Sequence, residues 1–108
     1  MADPSLTVRT RDDGTIVLQP HGEVGLDAAV ELRQTLVHLV RRVRPCRLVV
    51  DLAEVTSLDD INAGTLVAIV PVADEHGVAV FLDNSPAGVA DLLCACGVPQ
   101  QRLRPLPA

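Results

Sequence analysis

The chain has 108 residues, a net charge of −5 at pH 7 and a single aromatic side chain, Phe81. This length suits one domain, residues 1–108, built around one hydrophobic core. The acidic charge and the scarcity of aromatic rings argue against nucleic acid as a partner, because phosphates are repelled and bases usually stack on rings.

The N-terminal part of the sequence predicts a β-hairpin followed by an amphipathic helix. Apolar and polar residues alternate at 6–8 and lead into Asp-Asp-Gly at 12–14, which is typical of a hairpin turn. Residues 15–18 are predicted as the return strand. From about 27 to 42 apolar residues recur at three- and four-residue spacing, which predicts a helix with Asp27 as its N-terminal cap.

The rest of the chain alternates strands and helices. In order, the sequence predicts a central buried strand at 48–51, a connecting loop at 52–58, a helix from 59–62 to 75, a buried strand at 78–82, a helix from 85–86 to 97 and an edge strand within 102–106. Such alternation favours parallel pairing with right-handed crossovers. We therefore expect an α/β fold with a mixed, mostly parallel small sheet, an N-terminal β-hairpin and about three packed helices.

Neither secretion nor metal binding is indicated by the sequence. The start of the chain lacks the basic and apolar regions of a signal peptide, and the longest apolar stretch, 66–73, is too short to cross a bilayer. The cysteines and histidines lack the spacing of a metal site or a disulfide framework. We expect a cytoplasmic protein without membrane insertion, metal or cofactor.

Three stretches carry a resemblance to a known family. They are His-Gly-Glu-Val at 21–24, the segment from Leu-Val-Val-Asp-Leu at 48–52 through Val-Thr-Ser-Leu-Asp at 55–59 to Ala-Gly at 63–64, and Asn-Ser-Pro-Ala at 84–87 with Cys-Gly-Val at 96–98. Their order and spacing resemble STAS domains, particularly the bacterial anti-sigma factor antagonists. The resemblance implies a non-enzymatic regulator of transcription. Its expected partner is an anti-sigma factor that is also a Ser/Thr protein kinase, in a partner-switching system that frees a sigma factor.

The resemblance also implies a switch position. In the family, Asp-Ser-Ser-Gly or Asp-Ser-Thr-Gly follows the central strand, and the kinase phosphorylates the first hydroxyl residue. Asp59 matches the aspartate, Asp60 matches the phosphoacceptor serine, and Ile61 and Asn62 replace the next two residues. Phosphoserine carries about −1.5 to −2 charges and Asp about −1, so Asp60 is non-phosphorylatable and partly phosphomimetic. Gly25 stands where the family usually has an acidic residue.

The expected partner-binding and regulatory residues are Thr56, Ser57, Asp59, Asp60, Asn62, Thr65, Ile69 and Val72. Several of these have a simpler interpretation, since Asp and Asn also suit a helix N-terminus as caps or first-turn anions. If Leu66 and Val70 face the sheet, Ile69 and Val72 fall on the opposite side. Such an exposed apolar stripe would serve a partner or a homodimer through the second helix, unless the helix is buried all round.

Two other functions remain open at this stage. STAS domains also serve as scaffold subunits of stressosome-like assemblies and of lipid-transport ABC systems. An enzyme is the other alternative, because Asp51, Asp59, Asp60 and Asp83 lie near the ends of predicted parallel strands and could hold Mg²⁺ for phosphotransfer. The absence of lysine, of a Gly-rich phosphate loop and of an evident nucleophile–base pair argues against it.

Overall fold

The computed structural model describes residues 6–105. In chain order the elements are β1 Leu6–Thr10, β2 Ile16–Pro20, β3 Gly22–Val24, α1 Leu26–His38, β4 Arg47–Asp51, β5 Val55–Leu58, α2 Asp60–Glu75, β6 Ala79–Ser85, α3 Ala87–Cys96 and β7 Leu103–Pro105. A π-helical turn, Leu39–Val43, continues α1, and a 3₁₀ turn, Gln100–Arg102, precedes β7. Residue 106, the end of the predicted edge strand, lies outside the described residues. The predicted α/β class is confirmed.

Five of these strands form the main sheet, in the order β1-β2-β4-β6-β7. β1 is antiparallel to β2, and the other neighbouring pairs are parallel. The hairpin turns at Gly14, whose φ of +87° favours glycine. The Asp13 carboxylate accepts a hydrogen bond from the Thr15 backbone N–H at 2.9 Å. This bond to the charged form lowers the pKa of Asp13 below its ordinary value.

A separate parallel pair, β3 with β5, was not expected from the sequence. The prediction of a connecting loop over 52–58 is therefore wrong for 55–58. Only Val55 of β5 is buried, while Thr56 and Ser57 are exposed, so the segment lacks the apolar run of a central strand. The pairing of Val24 with Leu58 brings the start of α1 beside the start of α2.

The core lies between the main sheet and the three helices. It includes Leu18, Leu48, Val50, Val80 and Leu82 from the strands and Leu32, Leu36, Leu66, Val70 and Leu93 from the helices. These side chains are buried, and each contributes about 1.5–3 kcal/mol relative to an exposed position. The core thus holds α1 and α2 side by side on one face of the sheet.

The start of α1 differs from the prediction. The helix begins at Leu26, and its N-cap residue is Gly25, which makes no side-chain capping bond. Asp27 lies in the first turn instead, so its prediction as the cap is wrong. Its negative charge still interacts favourably with the helix dipole there. At the other end, Arg44 adopts a left-handed φ of 52° and closes the π-helical turn.

The face of α2 that was predicted to expose an apolar stripe is largely buried. Ile69 is only 6% exposed, and the half-buried Val72 packs against the core. Their neighbours across the helix pair are Leu36 and Val40 of α1 and its π-helical turn. The expectation of an exposed apolar stripe is therefore wrong at Ile69, because α1 covers this part of α2. Within residues 6–105, no helix combines the length and apolar character needed to cross a membrane.

Candidate functional site

The start of α2 presents one carboxylate to solvent and uses the other as a cap. The Oδ1 atom of Asp59 accepts a hydrogen bond from the Asn62 backbone N–H at 2.9 Å, so the predicted capping role is confirmed. Asp60 follows in the first turn and is exposed. The helix dipole stabilises a negative charge at this position. Ile61, the next residue, is 57% exposed, which is unusual for so large an apolar side chain.

Asn62 ties the start of α2 to the loop between β3 and α1. Its Nδ2 lies 3.1 Å from the Val24 carbonyl oxygen, 2.9 Å from the Gly25 carbonyl oxygen and 2.8 Å from Asp59 Oδ1. The side chain is fully buried, and its Oδ1 accepts no hydrogen bond from the described residues. In the folded chain Asn62 is therefore not part of the exposed surface. It positions the two loops.

Gly25 lies at the junction that Asn62 makes. Its φ of −111° is open to any residue, and a β-carbon added there would meet no atom within 4 Å. Neither backbone conformation nor space therefore requires glycine. The loop that carries Gly25 contacts the start of α2 through Asn62. The resemblance expects an acidic residue at position 25 close to the switch position, and this chain has glycine there.

The three predicted hydroxyl residues differ in their surroundings. Thr56 and Ser57 line a depression of about 290 Å³ between β5 and the start of α3. The hydroxyl of Thr65 donates to the Ile61 carbonyl oxygen at 3.2 Å, within its own helix. At the start of α2, hydrogen bonds join Asp59 to Asn62, and Asp60 lies between them in sequence with its side chain exposed.

Three of the four carboxylates considered for Mg²⁺ accept hydrogen bonds within the fold, and the fourth, Asp60, is the exposed one. Asp51 accepts hydrogen bonds from the Ala53 backbone N–H at 3.0 Å and from Asn84 Nδ2 at 3.1 Å. Asp83 forms a two-point ion pair with Arg104, with N–O distances of 2.5 and 2.9 Å. Within residues 6–105, no three His, Cys, Asp or Glu side chains are grouped so as to hold a metal ion. Asp51 and Asp83 therefore have structural partners at the ends of β4 and β6.

His21 links β1 to the segment before β5 through its side chain. Its Nδ1 lies 2.5 Å from Glu54 Oε2, and its Nε2 lies 2.7 Å from the Thr7 hydroxyl. Because an ionised carboxylate only accepts, Nδ1 is the donor in the bond to Glu54. The Gly22 backbone N–H also donates to the Glu54 carbonyl oxygen at 2.8 Å. These bonds anchor β3, which carries the Gly25 loop.

The sequence reasoning missed the exposed apolar side chains of α1. Leu26 is 68% exposed, Val30 65% and Val37 37%. Val30 and Val37 belong to the surface that we call the α1–α2 groove, which is defined by Val30, Arg33, Val37, Arg41, Arg42, Ile61 and Ala68. Residues 26, 30 and 37 are spaced by four and seven, which is itself a helix-face signal. It was obscured by the stronger buried stripe of the same helix.

The comparisons with known proteins agree with this fold. A family model described as "Mlab, STAS domain" matches residues 7–105, and the chain therefore belongs to the STAS domain family. A comparison with functionally curated proteins finds no match.

Solved structures that resemble the chain include SpoIIAA of Bacillus in its phosphorylated form, at 11% identity and a TM-score of 0.77, covering 94% of this chain and 91% of that one. RsbS of Moorella thermoacetica with a serine-to-glutamate substitution is 19% identical, with a TM-score of 0.75 and coverages of 94% and 86%. A murine anion transporter of the solute carrier 26 family is 16% identical, with a TM-score of 0.70, over 95% of this chain and 20% of the transporter. At these identities the likeness concerns the fold.

Proposed function

We propose that residues 1–108 form a single regulatory domain that binds a protein partner, in the manner of an anti-sigma factor antagonist, in the bacterial cytoplasm. The proposed partner is an anti-sigma factor that is also a Ser/Thr kinase. The proposal assigns no catalytic activity to the chain. The observation that carries it is the exposed carboxylate of Asp60, at the position where the family resemblance expects a phosphoacceptor serine.

The surroundings of Asp60 support a role in recognition. Within residues 6–105, no hydrogen bond or ion pair engages its carboxylate, so the charge is available to a partner. Asp59 and Asn62 already satisfy the start of the helix through backbone and side-chain bonds. Asp60 is therefore not needed as the cap, which leaves its charge free for another role.

The solved relatives favour this class of function. SpoIIAA is described as an anti-sigma factor antagonist, and it has been determined in unphosphorylated and phosphorylated forms. Phosphorylation adds about −1.5 to −2 charges at a hydroxyl, whereas an aspartate carries about −1 permanently. With Asp60 in place, a kinase cannot alternate the charge at this position. We propose that the carboxylate holds the chain in one regulatory state.

A pull-down from the native cell extract tests the proposal. Wild type, Asp60→Ser and Asp60→Ala serve as bait, and Asp74→Ala removes a carboxylate at the far end of α2 as a control. The bound proteins are identified by mass spectrometry. We expect an anti-sigma kinase whose recovery changes with residue 60 and not with residue 74. Incubation of the Asp60→Ser variant with that kinase and ATP should then yield a phosphoserine at position 60.

Two outcomes would overturn this assignment. One is the absence of any kinase-like ATPase with every variant. The other is recovery of a transporter ATPase or a large multi-subunit particle, which would identify the chain as a scaffold subunit of a lipid-transport ABC system or of a stressosome-like assembly. Recovery of the kinase equally by all variants would keep the partner and refute the role of Asp60.

A further inference from the structure

The α1–α2 groove carries positive charge in a protein that is acidic overall. The net charge is −5, yet Arg33, Arg41 and Arg42 lie along the groove, and no Asp or Glu lines it. Among residues 6–105, no ion pair engages any of these arginines. Their charges therefore remain available to a negatively charged ligand.

The groove also has apolar side chains, although Gln34 and His38 line it as well. Val30, Val37 and Ile61 expose large fractions of their side chains there, and the space beside them measures about 690 Å³. The groove follows α1 from residue 29 to residue 42, which corresponds to a length of about 20 Å at 1.5 Å per residue. An elongated apolar floor with charged edges is the geometry that receives an amphipathic helix.

We propose that the α1–α2 groove binds an acidic amphipathic helix, about 13 residues long, from a protein partner. Its apolar face packs on Val30, Val37 and Ile61, and its carboxylates meet Arg33 and Arg41. The proposal rests on the proposed function in one respect, that the chain acts by binding a protein. Ile61 adjoins Asp60, so the same partner reaches the switch position from this groove.

A second copy of the chain is a poor occupant of the groove. A two-fold symmetric dimer brings the same surface of both copies together. Such a dimer through the groove would bring the arginines of one copy towards those of the other, and like charges repel. α3 exposes mainly small residues with one carboxylate, Asp91, so it does not offer a large apolar face edged by acids either.

Site-specific crosslinking identifies the occupant. A photoreactive amino acid replaces Val37 in the full chain, and the same substitution at Val8, an exposed valine on β1, serves as the control. After irradiation in cells, the crosslinked peptide is sequenced by mass spectrometry. We expect an amphipathic acidic segment of another protein at residue 37 and not at residue 8. A peptide of the same chain, a lipid adduct or a basic segment at residue 37 would overturn the proposal.

Charge reversal then tests the electrostatic part. A synthetic peptide of the crosslinked segment is titrated into the wild type and into Arg33→Glu, Arg41→Glu and Arg9→Glu, the last on β1 outside the groove. We expect each groove variant to weaken binding about fivefold or more, and Arg9→Glu to change it less than twofold. Equal binding by all variants would refute the role of the arginines.

The experiments distinguish failure of the proposed function from failure of the proposed helix-binding groove. Recovery of an anti-sigma kinase whose binding depends on residue 60, without an acidic segment crosslinked at Val37, refutes the groove and leaves the proposed function intact. An acidic segment crosslinked from a protein that is not an anti-sigma kinase supports the groove and refutes that function. Binding of the chain to vesicles containing phosphatidylglycerol, lost in Arg41→Glu, would identify a membrane surface instead of a helix.

Discussion

Replacing Asn62 by alanine tests whether this side chain holds the two loops together. The variant loses the bonds from Nδ2, each of which contributes about 0.5–1.5 kcal/mol. The two carbonyl oxygens keep one partner each, since Val24 still accepts from the Asp59 N–H and Gly25 from the Ala28 N–H. Removing the unpaired Oδ1 recovers about 1 kcal/mol. Three such bonds at about 1 kcal/mol each, less the roughly 1 kcal/mol recovered, lower the expected free energy of unfolding of Asn62→Ala by about 2 kcal/mol.

Asn62→Asp sharpens the same test. The new carboxylate would lie beside the oxygens of Val24, Gly25 and Asp59 and has no hydrogen to donate to them when it is ionised. Burying an unpaired charge costs more than losing the amide, so we expect a loss above about 3 kcal/mol.

Urea unfolding monitored by circular dichroism measures both losses, with Thr65→Ala as a control whose hydroxyl bonds only within α2. The reasoning is refuted if Asn62→Ala is as stable as the wild type, or if Asn62→Asp is no less stable than Asn62→Ala.

Three further predictions concern the elements around the site. Ile69→Ala should lower the free energy of unfolding by about 2–5 kcal/mol and the matched Ile61→Ala by under about 0.5 kcal/mol, because only Ile69 is buried. Urea unfolding measures both losses, and equal losses would mean that α1 does not cover α2. Asp59→Ala should cost about 1 kcal/mol through loss of the cap, with Asp59→Ser retaining most of it; thermal melting checks this, and an unchanged melting temperature would contradict the capping role. Because the pKa of Asp13 is lowered in the folded state, its hydrogen bond to Thr15 stabilises the fold fully at pH values above the ordinary pKa of 3.8. This contribution is lost as the pH falls through the lower pKa of the folded state. Melting temperatures across that range should therefore fall less steeply for Asp13→Ala than for the wild type, and parallel curves would contradict the assignment.

The parts of the fold that the sequence predicts correctly are those encoded by residues close together in the chain. The Asp-Asp-Gly turn specifies the hairpin, since Gly14 adopts the positive φ and Asp13 bonds the turn. The buried run at β4 and the glycine after α3, Gly97 with φ of 108°, follow from composition and backbone preference alone. These features depend on residues close in sequence, so a single sequence contains the information they need.

The misses depend on contacts between distant segments. β5 is a strand because β3 pairs with it, and half-exposed residues such as Thr56 carry no strand pattern of their own. Ile69 is buried because α1 crosses beside it, which no periodicity within α2 reveals. An asparagine near a helix start is as compatible with an exposed side chain as with a buried one. Asn62 is buried because the Gly25 loop packs against it. Tertiary packing decided each of these three cases.

The charge at residue 60 should also act on whatever occupies the α1–α2 groove. Asp60 lies beside Ile61, at one end of the groove, so a carboxylate of an acidic helix about 8 Å away would be repelled by about 0.5 kcal/mol in water, a factor of about two in affinity. Asp60→Asn should therefore strengthen binding of the crosslinked segment about twofold, and Asp60→Lys about fivefold, while Asp60→Glu leaves it unchanged. Fluorescence titrations at low ionic strength measure the effect, and added salt should diminish it because the Debye length shortens. Weaker binding by Asp60→Asn would instead mean that the carboxylate contacts a cation or a donor of the partner directly. The groove and the switch position would then recognise opposite charges on one partner.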